Sequence, residues 1–171
     1  MAERATHRPA ALEHHLKHML IYFLRHGEAD WADWKKPDDE RPLTEKGKKE
    51  MHEVGAFLAN LSVKPDVVLT SPLPRASQTA EIAAGYIDAK CVEDELLEPG
   101  FGRSELKKLV KKHGCDSVML VGHEPDFSRT VCKLTGARIK LSKAGIALVE
   151  VDAALSCGKL LWLFPPKIAK H

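Results

Sequence analysis

The sequence of 171 residues lacks most of the features that mark a specialised class of protein. Its four cysteines, Cys91, Cys115, Cys132 and Cys157, stand 24, 17 and 25 residues apart. With no C-x-x-C pair, a zinc ribbon or a thioredoxin-like redox site is excluded, and thiols so scattered read as core fillers in a reducing compartment. No apolar run approaches the roughly 20 residues of a membrane span, and the longest, around Met19–Leu24, is strand-sized. Neither sign of charge dominates: 26 Lys and Arg against 24 Asp and Glu leave no field aimed at a nucleic acid or a membrane surface. Signature motifs are missing too. There is no G-x-x-x-x-G-K-[ST], and Gly100-Phe101-Gly102 lacks the third glycine of a dinucleotide fingerprint. His123-Glu124 has no second histidine four residues on, and no G-x-S-x-G elbow occurs.

What is present is a core. Apolar residues make up 44% of the chain, interrupted by only 10 prolines and 11 glycines, and the length suits one domain. Residues 1–18 lack the apolar stretch of a secretory signal, which makes a cytoplasmic protein the expectation. They read as an N-terminal extension ahead of a single domain over 19–171, either helical from about Pro9 to Lys17 or a remnant foreign to the domain. His14 and His18 would share a face of that helix. Without a nearby carboxylate or thiolate they read as solvated histidines, not metal ligands.

From Met19 onward, strand-like runs alternate with helical stripes. Met19–Leu24 is a continuous apolar strand. Thr44 caps a helix to about Leu61, with Met51, Val54, Leu58 and Leu61 as its buried stripe. Asp66–Thr70 is a second strand, followed by a helix through Arg75, Thr79 and Ile82. A short strand near Ala89–Val92 leads through the loop 93–102 to a helix from about Ser104 to His113. Ser117–Val121 is the next strand, and a helix runs from Pro125 to Leu134. Ile146–Val151 and Lys159–Phe164 form a closing hairpin. The expected fold is an α/β three-layer sandwich: a mostly parallel sheet with an antiparallel edge hairpin and helices on both faces.

In such sheets ligands bind beyond the carboxyl ends of the strands. Three strands then deliver Arg25-His26-Gly27, Ser71-Pro72 with Arg75, and Gly122-His123-Glu124 to one rim. Two guanidiniums and two imidazoles describe a phosphoryl site, because the arginine fork matches phosphate oxygens and stays charged. The rim offers no thiolate, paired carboxylates or metal-ligand cluster, so a neutral imidazole is the nucleophile that remains. The arginines and the second histidine would stabilise charge on the equatorial oxygens of the transition state.

These residues also carry a resemblance. Leu24-Arg-His-Gly-Glu-Ala29, Asp39-Glu-Arg-Pro-Leu-Thr44 with Gly47, Ser71-Pro-Leu-Pro-Arg-Ala76 with Gln78-Thr-Ala80, and Val121-Gly-His-Glu-Pro125 stand in the order found in the histidine phosphatase superfamily. The chain most resembles its SixA-type phosphohistidine phosphatases. The resemblance implies a phosphoglycerate-mutase-like fold, His26 as the phosphorylated nucleophile, and Arg25, Arg75 and His123 as the phosphate pocket. It further implies no metal or organic cofactor and a phosphohistidine-bearing protein, of phosphocarrier or two-component type, as partner.

The leaving group decides the substrate class. Imidazole, whose conjugate acid has a pKa near ~6.5, departs with little help, whereas an alkoxide needs a general acid. Glu98, in Leu97-Glu-Pro-Gly-Phe-Gly102, stands where mutase-like and small-molecule phosphatase relatives place that acid, a position SixA-like members commonly lack. Glu124 is the second candidate, by resemblance to the acid-phosphatase branch. A small-molecule phosphomonoesterase using Glu98 is thus the alternative, and a phosphate-recognition module without turnover is a third. Against the alternative, only 49 residues separate His26 from Arg75 and 48 separate Arg75 from His123, too few for a long lid. An open pocket suits a phosphoryl group presented on another protein. Trp31 and Trp34, in the loop Trp31–Arg41, are its candidate rim anchors or else pack that loop down.

Overall fold

A computed structural model describes residues 18–170. The sheet has six strands, β1 (His18–Arg25), β2 (Val67–Thr70), β3 (Cys91–Glu93), β4 (Ser117–Gly122), β5 (Ile146–Asp152) and β6 (Gly158–Phe164), in the order β3-β2-β4-β1-β5-β6. β3, β2, β4 and β1 are mutually parallel, β5 pairs antiparallel to β1, and β6 antiparallel to β5. The helices are α1 (Glu45–Asn60), α2 (Pro74–Ile87), α3 (Arg103–His113) and α4 (Asp126–Thr135).

Alternation along β1 explains the three layers. Met19, Ile21 and Phe23 point to one face, where they meet Leu106 and Leu109 of α3 and Phe127, Val131 and Leu134 of α4. Tyr22 and Leu24 point to the other, against Met51, Val54 and Leu58 of α1 and the alanines of α2. Both faces of the strand are covered, so its sequence is a continuous apolar run. Phe23 stands edge-on to Phe127 at 5.2 Å between ring centroids.

The expected elements are present within a few residues of their predicted ends. One stripe position differs. Leu61 is 46% exposed, because α1 ends there and Ser62 takes a left-handed conformation (φ 54°) that turns the chain back. Val63 fills the buried position in its place, with its N–H on the Leu58 carbonyl at 3.1 Å. His18 opens β1 opposite Asp152 and is exposed, so it is a strand residue that does not continue a helix from His14. The proposed helix Pro9–Lys17 lies outside the described residues. Among the described residues, no helix is long and apolar enough to cross a membrane.

Sheet register sets up the rim. Leu24 and Thr70 both pair with Val121, so β1, β4 and β2 end level with one another. The backbone N–H groups of His26 and Ser71 continue the ladder onto Gly122 and Val121, at 3.0 Å each.

Candidate active site

Past those strand ends the side chains of His26, His123 and Arg75 gather, all buried, with exposures of 9%, 5% and 5%. The two imidazoles are 5.3 Å apart between centroids. His26 Nδ1 lies 2.8 Å from the Gly27 carbonyl oxygen. That oxygen can only accept, so Nδ1 carries the proton and Nε2 keeps its lone pair free. His123 Nε2 meets the Ser71 hydroxyl at 2.9 Å, which leaves its Nδ1 as the ring nitrogen open to a ligand.

Electrostatics keep both rings neutral. Burial lowers the pKa of His26 to about 3; His123, Arg75 and Arg25 push the same way, against the bond to Gly27, which favours the charged ring. Burial likewise lowers His123 to about 4, with Arg75 and Arg25 adding repulsion that Asp126 and Asp38 partly offset. A pocket that resists its own positive charge this strongly is suited to a dianion.

Each arginine is held by part of its fork and open at the rest. Arg75 Nη1 donates to the Asp38 carbonyl at 2.8 Å, and its Nη2 pairs with Asp38 Oδ2 at 3.2 Å. Arg25 Nη1 donates to the Leu141 carbonyl at 2.9 Å. The Nε atoms of both arginines are buried with no partner among the described residues. An orphaned buried N–H is costly, and two of them beside one neutral histidine pair are groups that the oxygens of an oxyanion can satisfy.

The local sequence explains the placement. Gly27 N–H donates to Thr79 Oγ1 at 3.0 Å, and the Thr79 hydroxyl donates to the Arg75 carbonyl at 2.7 Å, clasping the turn after β1 to α2. Gln78 Oε1 accepts from Leu43 N–H at 3.0 Å. Gly47 lets α1 approach that turn: a β-carbon there would stand 2.2 Å from the Glu28 carbonyl oxygen. Thr44 caps α1, accepting from Gly47 N–H, while its own N–H bonds Glu28 O.

A family model for the histidine phosphatase superfamily (branch 1) matches residues 21–108. The chain belongs to the histidine phosphatase superfamily. Within it, an uncharacterized protein of Picosynechococcus sp. is 37% identical over 145 residues, covering 80% of this chain and 87% of the relative. Among solved structures, the protein histidine phosphatase SixA complexed with tungstate superposes with a TM-score of 0.77 at 27% identity, covering 89% of this chain and all of that one (100%). A SixA-type structure from Agrobacterium tumefaciens gives 0.73 at 24% identity, covering 86% and 98%. The phosphoglycerate-mutase-like α/β sandwich and phosphatase chemistry both follow from this membership.

In this histidine phosphatase, then, the fold brings together Arg25, His26, Arg75 and His123. Glu98 is exposed on the loop after β3, and its carboxylate takes no partner among the described residues. It is, however, next in the chain to Leu97, whose carbonyl packs against Gly122, the residue before His123. Glu124 is engaged elsewhere, accepting from Ser128 and from Leu141 N–H. Trp31 is 41% exposed, with its indole N–H on the Pro42 carbonyl at 2.9 Å. Trp34 is half-buried and donates to Pro37 O at 3.0 Å, within its own turn.

Three contributors carried no role in the sequence reading. Ser71 and Thr79 sat inside quoted motifs; Ser71 directly follows β2, where its hydroxyl was the available signal, whereas Thr79 lies within α2 with no such signal. Asp38 had none. It lies in a polar loop, and only folding brings it to Arg75, while its other oxygen pairs with Arg41 at 2.7 Å.

Proposed function

We propose that the protein removes the phosphoryl group from a phosphohistidine on another protein, through a covalent intermediate on His26. The observation that carries this reading is the neutral His26 ring, with Nδ1–H held by Gly27 and Nε2 free, close to two arginines whose buried Nε atoms have no partner among the described residues. In the first step Nε2 bonds to phosphorus as the phosphorus–nitrogen bond of the substrate breaks. The substrate imidazole, protonated on its other nitrogen, departs as a neutral ring. Arg25, Arg75 and His123 meet the charge on the three equatorial oxygens.

Phosphorylated His26 carries the phosphoryl group on Nε2 and the proton on Nδ1. Water then attacks phosphorus, His26 leaves as the same neutral ring, and dihydrogen phosphate is released. Neither step expels a strongly basic group, so neither depends on a carboxylic acid. The resemblance to SixA, whose structure holds tungstate, supports an oxyanion in the pocket. Trp31, with much of its ring exposed at the edge of the loop, is the proposed contact for the protein substrate, and a phosphocarrier or two-component protein is the proposed partner.

A second reading rests on Glu98: its carboxyl group, with no partner among the described residues and in the chain segment packed beside Gly122, would in its protonated form give its proton to a departing alkoxide, making a small-molecule phosphomonoesterase. Phosphate release from a phosphohistidine-bearing carrier protein and from a simple alkyl phosphate, measured side by side with wild type and Glu98→Gln, separates the two. The phosphohistidine reading requires fast protein dephosphorylation that Glu98→Gln leaves intact. Rapid ester hydrolysis abolished by Glu98→Gln would establish the alternative.

A further inference from the structure

Glu124 follows the pocket histidine directly and, by resemblance, invites the role of proton donor. Its contacts point elsewhere. Oε1 accepts from Leu141 N–H at 2.8 Å and from the Ser128 hydroxyl, and Oε2 accepts from Ser128 N–H at 3.3 Å. Both oxygens are thus occupied by donors, and all of those donors belong to α4 or to the segment 137–145. The acceptor capacity of the carboxylate is thus spent on holding α4 and that segment in place.

That segment is where Arg25 is fixed. The Leu141 carbonyl accepts from Arg25 Nη1 at 2.9 Å, the Gly145 carbonyl accepts from the Arg25 backbone N–H at 3.0 Å, and Ala144 N–H donates to His26 O at 3.1 Å. The last two bonds set the backbone of Arg25 and His26, but among the described residues only Leu141 holds the guanidinium. Leu141 is fully buried, so its peptide groups need protein partners: the N–H finds Glu124 and the C=O finds Arg25. With Nη1 anchored, Arg25 stands close enough to His26 and His123 for its charge to act on both rings, and its buried Nε has no partner among the described residues.

We infer that Glu124 is a positioning residue: through Leu141 it holds the Arg25 fork in register for the phosphoryl oxygens, and it does not act as the general acid. The inference rests on the phosphate pocket described above but is independent of which phosphorylated molecule is the substrate.

Two conservative variants make opposite predictions for the two roles. Glu124→Gln keeps a side-chain oxygen at the right reach for Leu141 N–H but is no acid. Glu124→Asp keeps an acid but is one methylene too short to reach. Binding of inorganic phosphate and of vanadate, a pentacoordinate mimic, is measured for both variants, for Arg25→Ala and for Arg25→Ala/Glu124→Asp. Positioning predicts that Glu124→Asp weakens both anions about 10-fold, the scale of one misplaced charged hydrogen bond, and that Glu124→Gln recovers most of the affinity. It also predicts that the double variant binds no worse than Arg25→Ala alone, since the effect travels through that arginine.

Additive losses in the double variant, or full anion affinity in Glu124→Asp, would overturn the inference. So would a Glu124→Gln variant that binds anions normally yet loses hydrolysis of an alkyl phosphate while sparing an aryl phosphate, because that is the behaviour of an acid. If Arg25→Ala itself leaves phosphate binding unchanged, the pocket reading fails, an outcome distinct from failure of the Glu124 inference alone.

Discussion

Acid should destabilise this protein through its own pocket. His26 and His123 have pKa values held down to about 3 and about 4, whereas in the unfolded chain each ring titrates near ~6.5. Between those limits the unfolded state binds more protons than the folded one, so stability rises with pH across the window. The contribution is fully present above about pH 6.5 and is lost as the pH falls toward 4. From pH 7 to pH 5 the linkage amounts to up to about 2 kcal/mol for each ring. Urea denaturation at intervals across that range gives the slope, and the His26→Gln/His123→Gln variant, with nothing to titrate at these positions, should show correspondingly less acid dependence. Ring NMR signals supply the direct check: both histidines should stay neutral from pH 8 to 5. Either ring titrating near 6.5 in the empty enzyme, or equal slopes for wild type and double variant, would refute the argument that burial and the arginines hold the pair uncharged.

The same geometry fixes other outcomes. Asp38→Ala removes a half-exposed ion pair while the Asp38 carbonyl still holds Arg75, so phosphate inhibition should weaken only about 3- to 5-fold, within the ~1 kcal/mol of such pairs. Arg75→Ala, by contrast, should reduce turnover and phosphate binding together, by about 100-fold or more in turnover, because the lost donors face the transition state. Ser71→Ala leaves His123 Nε2 and the Leu73 N–H without a buried partner and should cost about 1–3 kcal/mol in chemical denaturation. Gly47→Ala sets a methyl group against the Glu28 carbonyl; a loss of about 1–3 kcal/mol is expected, with reduced activity because the turn carrying His26 must shift.

Much of this was readable from the chain because the signals were local. The apolar run Met19–Leu24 announces a strand covered on both faces, and Thr44 with Met51, Val54 and Leu58 announces a capped, one-sided helix. Once the strands were placed, the rule that ligands sit beyond their carboxyl ends put Arg25, His26, Arg75 and His123 on one rim without reference to side-chain contacts. What escaped depends on contacts between distant segments. Leu61 fits the helical stripe, but the left-handed Ser62 turns Val63 inward in its place. Asp38 reaches Arg75 from a loop with no periodicity, and Glu124 looks like an acid until Leu141, 17 residues on, is seen to occupy it.

The covalent step on His26 is the centre of the account. A carrier protein labelled with radioactive phosphate on histidine is mixed with the enzyme, quenched within milliseconds in alkali, which preserves phosphohistidine, and mapped by peptide mass spectrometry. The account predicts label on Nε2 of His26 that decays as free phosphate appears, and neither label nor turnover in His26→Ala. Phosphate release by His26→Ala at a substantial fraction of the wild-type rate would contradict it.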